Sequence, residues 1–176
     1  MRILHLLGCA APPVRYLADA VRQAHARDWQ VCVGVTPTAA EWLGPDELTG
    51  LEKLTGHPVR TRPRPGGPAA HPWPDADAVV VAPATMNTVN ALALGLTPHQ
   101  VAGTAMRAVG GPTPLVVLPC VNTDFAAHPQ WSRSVDALRG SGARVLVGEG
   151  GWVPNPPGQS PPPELFPWHL ALDALP

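Results

Sequence analysis

Val79 to Gly95 reads VVVAPATMNTVNALALG, a continuous apolar run that stops at Pro83 and gives way to small and hydroxyl residues opening a helix. An apolar run of this length bounded by proline predicts a strand buried on both faces. Thr85, Asn87 and Thr88 fall where a helix N-terminus leaves backbone N–H groups unpaired, and anions bind at such ends. Ligands of parallel sheets collect outside the carboxyl ends of the strands, which makes this strand, turn and helix a candidate cofactor cradle. The plainer reading is an ordinary turn whose Thr and Asn side chains only cap the helix.

Strand and helix alternate outward from this stretch. Arg2 to Leu7 is strand-like, and Val14, Leu17, Ala18 and Val21 recur at helical spacing, predicting an amphipathic helix that ends near Asp28. Gln30 to Val35 reads as a second strand with Thr36 at its polar end, and Leu48, Leu51 and Leu54 predict a short helix over Asp46 to Thr55 that Gly56 can end. His57 to Pro74 holds six prolines and two glycines, which leaves room for at most one short edge strand around Val59. Beyond Gly95 the pattern predicts a helix near Gln100 to Val109 and a strand over Leu115 to Leu118. A helix marked by Trp131, Val135 and Leu138 follows, with Pro129 near its start and Gly140 past its end, and Val145 to Val147 is the last strand. This order predicts an α/β fold, a doubly wound parallel sheet flanked by helices in three α/β/α layers.

Gly148 to Pro163 is too rich in Gly and Pro for a regular helix and is expected to be an extended tail or a flap. Phe166, Trp168, Leu170, Leu172 and Leu175 predict that the final segment docks, on its own subunit or across a subunit boundary. The expected organisation is one domain, residues 1–147, with 148–176 as its tail and docking segment.

At 176 residues, with 45% hydrophobic and 14% charged content, the chain can bury a substantial single core. A formal net charge of −1 gives no electrostatic reason to expect nucleic acid or an anionic membrane as partner. No apolar stretch reaches spanning length and Arg2 to Leu7 runs straight into Gly8 without signal-peptide architecture, so the expected location is cytoplasmic. Cys9, Cys32 and Cys120 have neither disulfide-framework nor zinc spacing. Cys32 sits in the apolar run VCVGV and reads as core, whereas Cys9 and Cys120 follow strands and either face a ligand or fill turns. The histidines form no HxxxH pair, so no metal is expected, and Arg60, Arg62 and Arg64 in TRPRP read as a solvated loop more readily than as a phosphate clamp.

Pro83 to Thr88, PATMNT, resembles the PASANT-type motif of the homo-oligomeric flavin-containing cysteine decarboxylases, the flavoproteins that include phosphopantothenoylcysteine decarboxylase and peptidyl-cysteine decarboxylases. Pro119 to Phe125, PCVNTDF, is similar to the family's P-x-M-N-x-x-M element, with Asn122 on the asparagine and Val121 and Phe125 on the methionines. Gly8 to Leu43 resembles the family's opening loop, long helix and Val-x-x-Thr-x-x-Ala strand end, so the likeness covers Arg2 to about Val147. It implies a Rossmann-like, flavodoxin-like fold, FMN as cofactor, and flavin sites built between subunits of trimers or assemblies of trimers.

The implied reaction is oxidation of a substrate cysteine thiolate to a thioaldehyde, followed by loss of the adjacent carboxylate as an enethiolate forms. By the same resemblance Gly8, Cys9 and Ala10 form a phosphate-facing loop, with Cys9 where the family usually has serine. Thr36, Thr38, Pro83, Ala84, Thr85, Met86, Asn87 and Thr88 complete the cofactor candidates. Asn122 is the candidate for holding substrate carboxylate, or else closes a turn, and His71 is the candidate base, or else a loop histidine. The family's Asp-Asn pair after the helix is absent from Leu96 to Gln100, and no cysteine follows Cys120 to serve as a reducing flap thiol. Coenzyme A biosynthesis is thereby disfavoured against oxidative decarboxylation of a peptide cysteine. The alternatives are a non-catalytic flavin- or nucleotide-binding module acting as carrier, sensor or assembly subunit, and a flavin prenyltransferase, which carries lysine at the position of Asn87.

Overall fold

The computed structural model describes residues 2–62 and 73–176. Strand β1 (Arg2–Gly8) leads through a 3-10 turn (Pro12–Tyr16) into α1 (Leu17–His25), then β2 (Trp29–Val35) and α2 (Pro37–Thr55). Next come β3 (Ala78–Ala84), α3 (Met86–Ala93), α4 (Gln100–Met106) and β4 (Leu115–Pro119). The chain finishes with α5 (Thr123–Ala126), α6 (Pro129–Gly140), β5 (Arg144–Val145), a second 3-10 turn (Pro163–Leu165) and α7 (Trp168–Asp173). Among the described residues the five strands are all parallel, in the order β2-β1-β3-β4-β5.

Every residue of β3 and β4 is buried, odd and even positions alike, so helices must cover both faces of the sheet. On the helical side, α1 packs on α2 and α7, and α3 packs on α4 and α6. Gly8 and Gly34 are set by this packing: a Cβ at Gly8 would stand 3.0 Å from Leu17 Cδ1, and one at Gly34 2.9 Å from Leu7 Cδ2 and 3.2 Å from Trp73. Gly8 therefore serves the seating of β1 against the first helical turns.

Several boundaries differ from the sequence expectation. The helix expected over Asp46 to Thr55 is only the second half of α2, whose first half starts at Pro37 and meets it at a kink where Gly44 takes φ 73° ahead of Pro45. The first half was hidden because its single stronger apolar stripe is only Ala39 and Leu43. Around Val59 the pairing shrinks to one bridge, Gly34 to Arg60. Gly140 lies inside α6, and the positive-φ residue that turns the chain is Gly142, φ 91°. The last strand stops at Val145, because Val147 leaves the sheet to bridge Trp152.

The Gly/Pro-rich tail is extended but not loose. Trp152 is buried and donates its indole N–H to Val121 O at 2.8 Å, Asn155 bridges Asn122, and Trp152, Phe166 and Trp168 pack in sequence, the first pair tilted and the second edge-on, with centroids 5.4 and 4.8 Å apart. The C-terminal segment docks on its own subunit, where α7 meets α1, β3 and β4. Among the described residues no helix is long and apolar enough to cross a membrane.

Candidate functional site

In the 2-1-3-4-5 order the direction in which strands are added reverses between β1 and β3, and ligands of such sheets bind in the crevice outside the carboxyl ends at that switch. Backbone bonds weld the strand ends there: Cys9 N donates to Pro83 O at 3.0 Å, Thr36 N to Gly8 O at 3.0 Å, and Cys120 N to Ala84 O at 2.9 Å. Above them opens a cleft of about 730 Å³, within the range that holds a nucleotide-sized ligand.

Three elements furnish its walls. The β1 loop contributes Ala10; the start of α2 contributes Thr36, Thr38 and, one turn on, Trp42; the start of α3 contributes Thr85, Asn87 and Thr88. Asn90, Ala91 and Leu94 continue from Asn87 at spacings of three, four and seven along one helix face. Leu96, Pro98 and His99, from the segment that leads into α4, complete the lining. Among the described residues no Asp, Glu, Lys or Arg lines the cleft, so an anion there would be held by hydroxyls, amides, backbone N–H groups and the positive ends of α2 and α3.

The two helix starts are capped differently. Thr36 Oγ1 accepts from Ala39 N at 3.3 Å and so serves α2, leaving its O–H to donate outward. Thr85 makes no side-chain cap, so the first N–H groups of α3, at Met86, Asn87 and Thr88, have no acceptor in their own helix and none from Thr85. The Thr85 hydroxyl instead meets Thr88 Oγ1 at 3.4 Å, which also accepts from the Cys9 thiol at 3.2 Å. Burial pushes the Cys9 thiol up from its ordinary range, and the same cause takes Cys32 and Cys120 to about 11. All three stay protonated near neutrality. Cys9 thus packs beneath the cleft as a weak donor within the protein, and its N–H, already given to Pro83, is not free for phosphate.

Of the residues singled out from sequence, Ala10, Thr36, Thr38, Thr85, Asn87 and Thr88 line the cleft together. Gly8, Cys9, Pro83, Ala84 and Met86 frame it without lining it. Asn122 stands at the end of β4, where its Oδ1 caps α5 by accepting from Phe125 N at 3.0 Å. Its Nδ2 has no protein partner among the described residues, and the tail passes beside it at Asn155. His71 and Arg64 lie outside the described residues. Arg60 lies over Trp73, its guanidinium carbon 4.0 Å from the ring centroid, and lines a separate cavity with His5.

A flavin suits the cleft on two observations. The Asn90 Oδ1 is buried with no hydrogen-bond partner among the described residues, an acceptor left for a ligand donor, and the uncapped α3 terminus offers donors to a phosphate. Trp42, Asn90 and His99 escaped the sequence reading. For Trp42 and Asn90 a signal was present, since they sit one turn beyond Thr38 and Asn87, on the same helix faces.

The Flavoprotein family model matches residues 6–161. The coenzyme A biosynthesis bifunctional protein CoaBC of Mycobacterium tuberculosis is 33% identical over 129 residues, which are 72% of this chain and 29% of that protein. The chain therefore spans less than a third of the length of the curated relatives it matches. Among solved structures, the FMN-dependent cysteine decarboxylase SpaF aligns with TM-score 0.67 and 27% identity over 83% of both chains. MrsD from a Bacillus species shares the fold, with TM-score 0.68 and 20% identity over 82% of both chains.

Proposed function

The chain belongs to the Flavoprotein family, and from that premise we propose that it binds FMN in the cleft between β1 and β3 and oxidatively decarboxylates a substrate carrying a cysteine thiol and carboxylate, such as a peptide C-terminal cysteine. The observation that carries the reading is the uncapped start of α3 at a switch-point cleft that no charged side chain lines among the described residues. FMN bound there supplies the two-electron oxidation of the thiol.

The residues of this chain bind and orient. Thr38, Thr85, Asn87 and the first N–H groups of α3 hold the phosphate, while Trp42, Ala91, Leu94 and Leu96 give the flavin ring apolar surroundings. Asn122 keeps Oδ1 on its cap and offers Nδ2 to the substrate carboxylate, binding it without a charge of its own. His71 is the proposed base for the thiol proton. Trp42, Leu94 and Leu96 are exposed large apolar side chains on the cleft rim, which supports completion of the site by a second copy in a homo-oligomer, a trimer or an assembly of trimers. Three unpaired cysteines fit a reducing, cytoplasmic location.

A second reading, a flavin-binding module without catalysis, is favoured by one observation: Asn122 does not line the cleft of this subunit. The visible spectrum of purified protein with added FMN, followed by anaerobic addition of C-terminal cysteine peptides, separates the two. Stoichiometric flavin that bleaches with loss of CO₂ from the peptide supports the decarboxylase; bound flavin that no cysteine peptide bleaches supports the module; refusal of FMN sinks both.

A further inference from the structure

His99 has a local role that fixes its chemistry. It precedes α4 and accepts the Ala102 N–H on Nδ1 at 3.2 Å, so the ring is the neutral tautomer with its proton on Nε2. An imidazole that accepts through Nδ1 has only Nε2 left for a polar contact. That nitrogen has no protein partner among the described residues, although the ring is half-buried and lines the cleft. Among the described residues the cleft brings no carboxylate to pair with it and no cation to compete with it.

Its position within the cleft is also informative. His99 lines the cleft together with its chain neighbours Leu96 and Pro98 and with Leu94, whereas Thr36, Thr38, Thr85, Asn87 and Asn90 bring the hydroxyl and amide groups. The apolar side chains of the cleft suit a flat aromatic ring, and the Nε2–H donor that the cap fixes on His99 would meet an acceptor on the edge of that ring.

Resting on the flavin reading above, we propose that His99 is a positioning residue whose Nε2–H donates to an acceptor on the edge of the isoalloxazine ring, while Nδ1 holds α4 in register. The side chain would thereby couple the orientation of the flavin to the seating of α4, which packs on β1, β2 and β3.

The test compares wild type with His99→Asn, because asparagine can keep an N-cap acceptor but is too short to reach as the imidazole does. The apo proteins are titrated with FMN and with riboflavin, which lacks the phosphate, while flavin fluorescence and the visible spectrum are recorded. The proposal expects an unchanged apo melting temperature, a roughly tenfold loss of affinity for both flavins, as one lost hydrogen bond would give, and a shifted absorption band in the bound flavin. His99→Gln, which restores reach but caps poorly, should recover affinity while lowering the melting temperature. Loss confined to FMN would put His99 on the phosphate and overturn the assignment. Unchanged affinity for both flavins would overturn it as well, leaving the flavin cleft intact. Wild type that binds neither flavin would overturn the cofactor reading itself, and this inference with it.

Discussion

Thr85 starts a helix without capping it, and its hydroxyl meets only side chains among the described residues, Thr88 at a long distance and the Cys9 thiol. Thr85→Val should therefore leave the apo melting temperature within about 1 °C, because little protein structure depends on the hydroxyl, yet weaken FMN binding by about 1 kcal/mol, or fivefold, by removing a donor from the cradle. Titration of flavin fluorescence checks it, and equal affinity would move the phosphate elsewhere. Asn122 separates its two roles by atom. Asn122→Asp keeps the Oδ1 cap for Phe125 N but replaces the Nδ2 donor with a negative oxygen, so FMN binding should persist while peptide-driven bleaching falls at least a hundredfold. Asn122→Ala should lose the cap too, at about 1 kcal/mol of stability. An Asp variant that bleaches at the wild-type rate would remove Asn122 from the chemistry.

At the scale of elements, the tail is fastened to the end of β4 by a turn that tolerates no side chain. A Cβ on Gly151 would lie 2.3 Å from the carbonyl carbon of Leu146 and 2.6 Å from Val147 N, both backbone atoms that cannot swing aside. Gly151→Ala should therefore open the Val147 to Trp152 bridge and release the indole from Val121 O, read as a red shift and gain in quenching of tryptophan fluorescence. Trp152→Ala should cost about 3 to 5 kcal/mol by emptying a buried site between Val121 and Phe166. Global unfolding curves measure both; a tail that can be freed without loss of stability would contradict the packing. Because the tail passes Asn122, the same variants report whether the docked segment matters to substrate.

For the whole molecule, the response to acid follows from two histidines. Burial lowers the pKa of His99, which protonation of Nδ1 would strip of its bond to Ala102 N. Burial also lowers His5, whose Nε2 donates to Pro74 O and which faces the charges of Arg60, Arg107 and Asp75 around its cavity. Both folded-state pKa values lie below the unfolded value of 6.5, so the unfolded chain binds more protons between the two. Their contribution is complete above pH 6.5 and is lost as the pH falls below it. Denaturation midpoints should drop between pH 7 and pH 5, and a His5→Gln, His99→Asn double variant should flatten that slope. A slope unchanged in the double variant would assign the acid sensitivity to other groups.

The sequence by itself determined the strand order's raw material: long apolar runs at Val31 to Val35, Val79 to Ala82 and Leu115 to Leu118 can be satisfied only by burial on both sides. It also determined the polar strand ends, because Thr36, Thr85 and Asn87 sit at breaks in hydrophobic period that are local facts of the chain. Tertiary structure decided which of these ends share one cleft, since β1 and β3 become neighbours by a crossover of some seventy residues that no local spacing encodes. It decided that Cys9 faces Thr88 instead of a ligand and that Asn122 caps a helix outside the cleft. It brought His99 into the site, from a loop whose composition reads as solvent-exposed until α4 packs on the sheet. Burial and periodicity are properties of neighbours along the chain, whereas a binding site is made by strand ends that only the folded sheet brings together.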